Sequence, residues 1–205
     1  MNHKFAQVLY QRSATRHNHL CPRQVLGVRM GLLAAQHLNL DLPQTNKRLL
    51  TIVETDGCFA DGIAVSTGCE LGRRTLRLVD YGKVAATFVD TQTKQAIRIN
   101  PHPDSRYHAQ AYCTKTESRW HRYLEAYQCL PDEVLFTVLH VQLDFSLTDL
   151  ISQPDLRTHC DQCHEEVING REVLRNNQTL CLACADGAYY HKVTITQPIQ
   201  SISTT

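Results

Sequence analysis

The 205-residue chain has no long hydrophobic run and no block of charge of one sign. No stretch approaches the roughly 18 apolar residues of a membrane span. The opening MNHKFAQVLYQRSATRHNHL lacks the uninterrupted apolar stretch of an export signal. These absences predict a cytoplasmic protein with no membrane partner. Lys and Arg number 21 and Asp and Glu 20, dispersed for a net charge of +1, which leaves no electrostatic footprint for nucleic acid. Internal repeats and low-complexity segments are missing too. Cysteine is the exception, with nine residues, alongside eleven histidines. An odd thiol count without an export signal argues against a disulfide framework and for metal binding or thiol chemistry.

With 42% apolar residues the chain can bury roughly 70% of its unfolded surface, enough for one sizeable core and a small appendage. The polar, proline-containing SQPDLRTH marks a linker, so the division falls near residue 153: a core domain over 1–152 and a small one over 153–205. In the core, Pro22 suits a first helical position, and a helix over about 22–38 follows with Cys21 as its cap. RLLTIVET reads as a buried strand ending at Asp56-Gly57, and FADGIAVSTG as a short helical or turn segment closed by Gly68. Residues 74–99 show β-branched runs broken at Tyr81-Gly82 and at 91–94, which predicts a three-stranded antiparallel meander. A second long helix is expected over 104–128, with Trp120, Tyr123, Leu124 and Tyr127 on its core face. EVLFTVLHVQLDF then returns as a strand. The fold class is α+β, a mixed or antiparallel sheet packed with helices, plus a small C-terminal zinc-ribbon hairpin domain.

Cys160, Cys163, Cys181 and Cys184 form two Cys-x2-Cys pairs separated by seventeen residues, a zinc-ribbon spacing. Each pair offers two sulfurs on one tight knuckle, and a zinc ion takes four at about 2.3 Å in a tetrahedron. Asn169-Gly170 reads as the type I′ turn between the knuckles. His159 and His164 flank the first knuckle and are alternative ligands. A closed thiolate shell is structural, and much of the folding free energy of so small a unit comes from its metal. Four basic against six acidic residues over 153–205 give this part a charge of −2, which favours a protein contact over nucleic acid.

HNHLCP places His17, His19 and Cys21 two apart, on one face if the segment is extended. Cys21 at a helix N-terminus meets partial positive charge and free amides, which favour its thiolate. The alternative is a surface histidine and a small buried thiol. Cys58 and Cys69 fall in the glycine-punctuated turns TDGCFADG and STGCELG.

Four blocks in order, HNHLCP, ETDGCFADGI, STGCELGRRTL and DYGKVAATF, resemble the signatures of the FmdE family of formylmethanofuran dehydrogenase proteins over about residues 15–100. The resemblance implies an α+β core, a homodimer, and a Cys/His metal cluster in a cleft. His19, Cys21 and Cys58 are then the ligands, with His17 a further one and zinc or another transition metal as the ion. Asp61, Cys69 and Lys83 match the positions beside that cluster as candidate catalytic residues. Asp61 would act as a base or orient a ligand histidine. Lys83 would hold an anion or stand solvated in its turn. The family usually has glycine where Asn18 and Arg23 stand here. The implied function is metal binding as an accessory to a molybdenum or tungsten one-carbon enzyme, with dehydrogenase subunits as partners. Two alternatives stand beside it: a free-standing metal-dependent enzyme, and a thiol or metal sensor with a protein-binding ribbon.

Overall fold

A computed structural model describes residues 3–112, 118–147 and 155–193. The chain divides into two compact units, Met1–Leu150 and Ile151–Thr205. Among the described residues no helix is long and apolar enough to cross a membrane.

The first unit opens with α1 (His3–Ala14), a helix outside the sequence-based expectations, which buries Ala6, Leu9 and Tyr10. The helix α2 (Pro22–Leu38) starts where its proline indicates. Its cap is a capping box built on a thiol. The Cys21 Sγ accepts the Gln24 amide at 3.4 Å, and the Gln24 side chain accepts the Cys21 amide at 2.7 Å. Gln24 Nε2 also donates to the Ser13 carbonyl at 2.7 Å, which fixes the end of α1 against the start of α2.

Five strands form the sheet: β1 (Leu49–Val53), β2 (Leu76–Leu78), β3 (Ala86–Asp90), β4 (Ala96–Pro101) and β5 (Phe136–Val141), in the order β2-β1-β3-β4-β5. All five residues of β1 are buried, as its continuous apolar run requires of a central strand. The three-stranded meander is corrected: β3 and β4 do form a hairpin, but β2 pairs in parallel with β1, on the far side of it from β3. The helix α3 (Cys58–Thr67) is the reason. It makes the crossover that a parallel β1–β2 pair needs, so Tyr81-Gly82 turns the chain past β1 instead of closing a hairpin. The single long helix over 104–128 is likewise corrected to two, α4 (Ser105–Tyr112) and α5 (Arg119–Cys129), followed by the short α6 (Asp132–Leu135).

Helices α2 and α3 pack closely over one sheet face, where Val28, Met30, Phe59, Ile63 and Phe88 are fully buried. At the β3–β4 turn the buried Asp90 accepts from Arg48 Nε at 3.3 Å and Nη2 at 3.0 Å, and from the Gln92 amide at 2.9 Å. Burial works to raise its pKa, but Arg48 and the amides of Gln92 and Thr93 outweigh it and hold the carboxyl below its ordinary value. Asp90 therefore stabilises the fold fully above the ordinary carboxylate range, and that contribution is lost as pH falls below it. Asp90→Ala leaves Arg48 and the turn amides unpaired. We expect it to cost about 1–3 kcal/mol in urea unfolding at neutral pH and to flatten the acid limb of the stability curve.

In the second unit β6 (Arg157–His159) pairs with β7 (Glu166–Ile168), β8 (Val173–Arg175) with β9 (Gln178–Leu180), and α7 (Leu182–Asp186) follows. Part of the expected linker is thus strand β6. Asn169 and Gly170 have the positive φ of a type I′ turn, 65° and 64°, but β7 and β8 do not pair. The β8–β9 hairpin turns instead at Asn176-Asn177, whose φ values of 51° and 61° suit the same geometry.

Candidate metal centre and adjoining cleft

The β6–β7 turn carries Cys160 and Cys163, and Cys181 and Cys184 sit at the start of α7. The four sulfurs lie within 4.8 Å of one another. The Cys163 and Cys181 sulfurs are 3.8 Å apart, close to the roughly 3.8 Å between two ligands that hold one zinc ion tetrahedrally at 2.3 Å. The donor set fits a zinc site. Backbone amides of Cys163 and Cys181 draw the Cys160 thiol down to about 6. Hydrogen bonding to Cys181, with burial, pushes the Cys184 thiol up to about 12. Four crowded sulfurs resist ionising together, and a divalent cation removes that resistance. His159 and His164 are exposed, outside this group.

In the first unit two helix N-termini converge. Cys21 caps α2, and Cys58 is the first residue of α3. The two thiols are in hydrogen-bond contact. Burial, with that contact, pushes the Cys21 thiol up; the Gln24 amide pulls the other way and loses. The expected thiolate-favouring effect of the helix end is therefore outweighed without a cation beside it.

His17 completes the arrangement from a third segment. Residues 15–19 form a turn, with Asn18 at a φ of 59°, so the expected extended alternation of His17, His19 and Cys21 is not what sets their positions. The anchor is Asp61: its Oδ2 lies 2.5 Å from His17 Nε2, and its Oδ1 accepts from Arg16 at 3.3 Å. With Nε2 held, Nδ1 faces the Cys58 sulfur at 4.0 Å. A shared tetrahedral ion asks for about 3.6 Å between nitrogen and sulfur ligands. A carboxylate behind an imidazole is the arrangement that orients ligand histidines. The exposed His19 has its ring centre 6.4 Å from that of His17 and 6.4 Å from that of Trp120. These donors are more widely spread than the ribbon sulfurs, which alone among the described residues form a mutually close group of three or more.

The other two expected residues stand apart. Cys69 is wholly buried beside β1, where its thiol accepts from Thr51 Oγ1 at 3.4 Å and donates to the Leu49 carbonyl at 3.4 Å; burial pushes its pKa up. Lys83 is exposed, with Nζ 5.7 Å from the centre of the Tyr81 ring.

Cys21 and Cys58 also line one end of a cleft of about 600 Å³. Its opposite wall carries Trp120, Tyr123 and Tyr127, so α5 does not turn all of these aromatics into the core as expected. Tyr123 and Tyr127 are stacked, 5.6 Å between centres and 3° between planes. Helical periodicity marks such a face as apolar without saying whether a core or a cleft receives it. Arg23, which the sequence marks only as a departure from the family pattern, lines the same space, and so does Arg106, for which the sequence holds no signal.

The family model described as "FmdE, Molybdenum formylmethanofuran dehydrogenase operon" matches residues 16–137. The chain belongs to the FmdE family. A solved FmdE-like protein of tungsten formylmethanofuran dehydrogenase, from Syntrophus aciditrophicus, superposes with a TM-score of 0.59 at 19% identity, covering 91% of this chain and 95% of that one. At that identity the likeness concerns the FmdE fold. A relative from Archaeoglobus fulgidus, described as a probable S-adenosyl-L-methionine-binding protein, is 37% identical over 86 residues, 40% of this chain. The match spans only 24% of that relative's length.

Proposed function

We propose that this FmdE-family chain is a metal-binding accessory protein of a molybdenum or tungsten one-carbon dehydrogenase, working in the cytoplasm as a homodimer. The observation that carries the reading is the meeting of two helix-terminal thiols, Cys21 and Cys58, with an imidazole that Asp61 holds in place. His17, Cys21 and Cys58 bind one transition-metal ion, with His19 within reach as a further ligand. The ribbon cysteines bind a structural zinc ion, and the acidic surface around them contacts a dehydrogenase subunit. In this reading Asp61 positions a ligand. Cys69 supports the core behind β1, and Lys83 offers a cation outside the cleft.

Metal analysis tests it. Two ions per chain are expected in the native protein, and Cys58→Ala is expected to leave one with the ribbon folded. An unchanged metal content in that variant would overturn the N-terminal assignment. A second reading, a free-standing metal-dependent enzyme, is favoured by the cleft that opens beside the thiols. Affinity capture from the native host separates the two: co-purifying dehydrogenase subunits support the accessory role, and their absence favours the enzyme.

A further inference from the structure

The cleft is asymmetric in charge and in shape. Arg23 and Arg106 line it, and among the described residues no Asp or Glu does. In a partly enclosed cavity two permanent cations without a carboxylate focus a positive potential. His102 also lines the space, but its Nδ1 accepts the Asp104 amide at 3.2 Å and is occupied. The aromatic wall is fixed before any ligand arrives. The Tyr123 hydroxyl accepts from Gln110 Nε2 at 2.9 Å, and Ser105 and Arg106 both engage the Tyr127 hydroxyl. The stacked tyrosines and Trp120 thus offer flat apolar surface, and a volume of about 600 Å³ is that of a small-molecule site.

We propose that this cleft binds a small organic anion, a carboxylate or phosphate attached to a planar unsaturated ring, with the anion on Arg23 and Arg106 and the ring on the Trp120–Tyr123–Tyr127 wall. Guanidinium forks suit both oxyanions, and the flat wall selects the ring by its face. Arg23 gives the site its particular character in this chain, because it stands at the second position of α2, next to Pro22 and two residues after the Cys21 cap. The inference does not depend on which ion the thiols hold.

Trp120 is the chain's one tryptophan, so its fluorescence reports on the cleft directly. The probes are anilinonaphthalene sulfonate, a planar aromatic anion, and N-phenylnaphthylamine, its neutral counterpart. The sulfonate is expected to quench Trp120 at one site per chain and to bind about tenfold more tightly than the neutral probe, from two exposed charge contacts. The double variant Arg23→Gln/Arg106→Gln is expected to abolish that preference while the neutral probe binds within about twofold of its original affinity. Cys58→Ala is expected to keep the preference, which separates this inference from the metal reading. Equal affinity for the two probes in the native protein, or an undiminished preference in the double variant, overturns the proposal.

Discussion

Chelating the C-terminal ion is expected to unfold residues 155–193 while the first unit stays folded. The ribbon's buried residues are Cys160, Val167 and Leu180, with Ala185 and the other three cysteines packed on them. Two full apolar side chains contribute about 1.5–3 kcal/mol each. Ordering the backbone costs about 1–2 kcal/mol per residue, so hydrophobic burial cannot hold these hairpins. A structural zinc ion in a small finger supplies on the order of 10–16 kcal/mol, which reverses the balance. Cys160→Ala should act like the chelator, because it removes a ligand that is itself wholly buried. Limited proteolysis followed by mass analysis is the measurement. Cleavage confined to the last fifty or so residues upon chelation is the expected pattern. A ribbon that resists protease in metal-free buffer would show that its folding does not depend on the ion.

Local signals in the sequence carried far, and pairings between distant segments carried less. Pro22 and Cys21 fix the start of α2 because a helix cap is settled within four residues, and the unbroken apolar run of β1 marks it as central. The Cys-x2-Cys pairs fix the ribbon because a knuckle needs no distant partner. The partner of β2 was not legible: Tyr81-Gly82 has the composition of a hairpin turn, and the α3 crossover that makes β2 a parallel neighbour of β1 is a tertiary fact. Asn169-Gly170 shows the same limit, since it has the expected turn conformation without joining paired strands. At the candidate site, ligand types were legible and roles were not. His17, expected as a further ligand, is the imidazole that faces Cys58. Asp61 supports it, and Arg16 supports Asp61, a residue with no signal beyond its adjacency to His17. Cys69 sits in a turn like that of Cys58, yet its thiol faces the core.

Gly27→Ala and Gly62→Ala are each expected to destabilise the first unit by about 3 kcal/mol, at the upper end of overpacking costs. On an exposed helix the same change would stabilise by about 1 kcal/mol, because alanine is the better helix former. The sign reverses at the α2–α3 crossing. A Cβ on Gly27 would lie 2.3 Å from the Phe59 carbonyl oxygen and 2.9 Å from the Ile63 nitrogen; one on Gly62 would lie 2.4 Å from the Gln24 carbonyl oxygen. All of these are backbone atoms, which cannot rotate aside, so the helices must move apart. Cys21 and Cys58 stand at the N-termini of these two helices, and separation at the crossing moves the thiols as well. The variants are therefore expected to lose the N-terminal ion along with stability, while the ribbon keeps its own. Thermal melts should fall by about 10 °C for a unit of this size. The double variant should cost much less than twice the single ones, since either methyl alone already forces the helices apart. Additive losses with both ions retained would show that the crossing yields locally and that the geometry joining the two thiols does not depend on it.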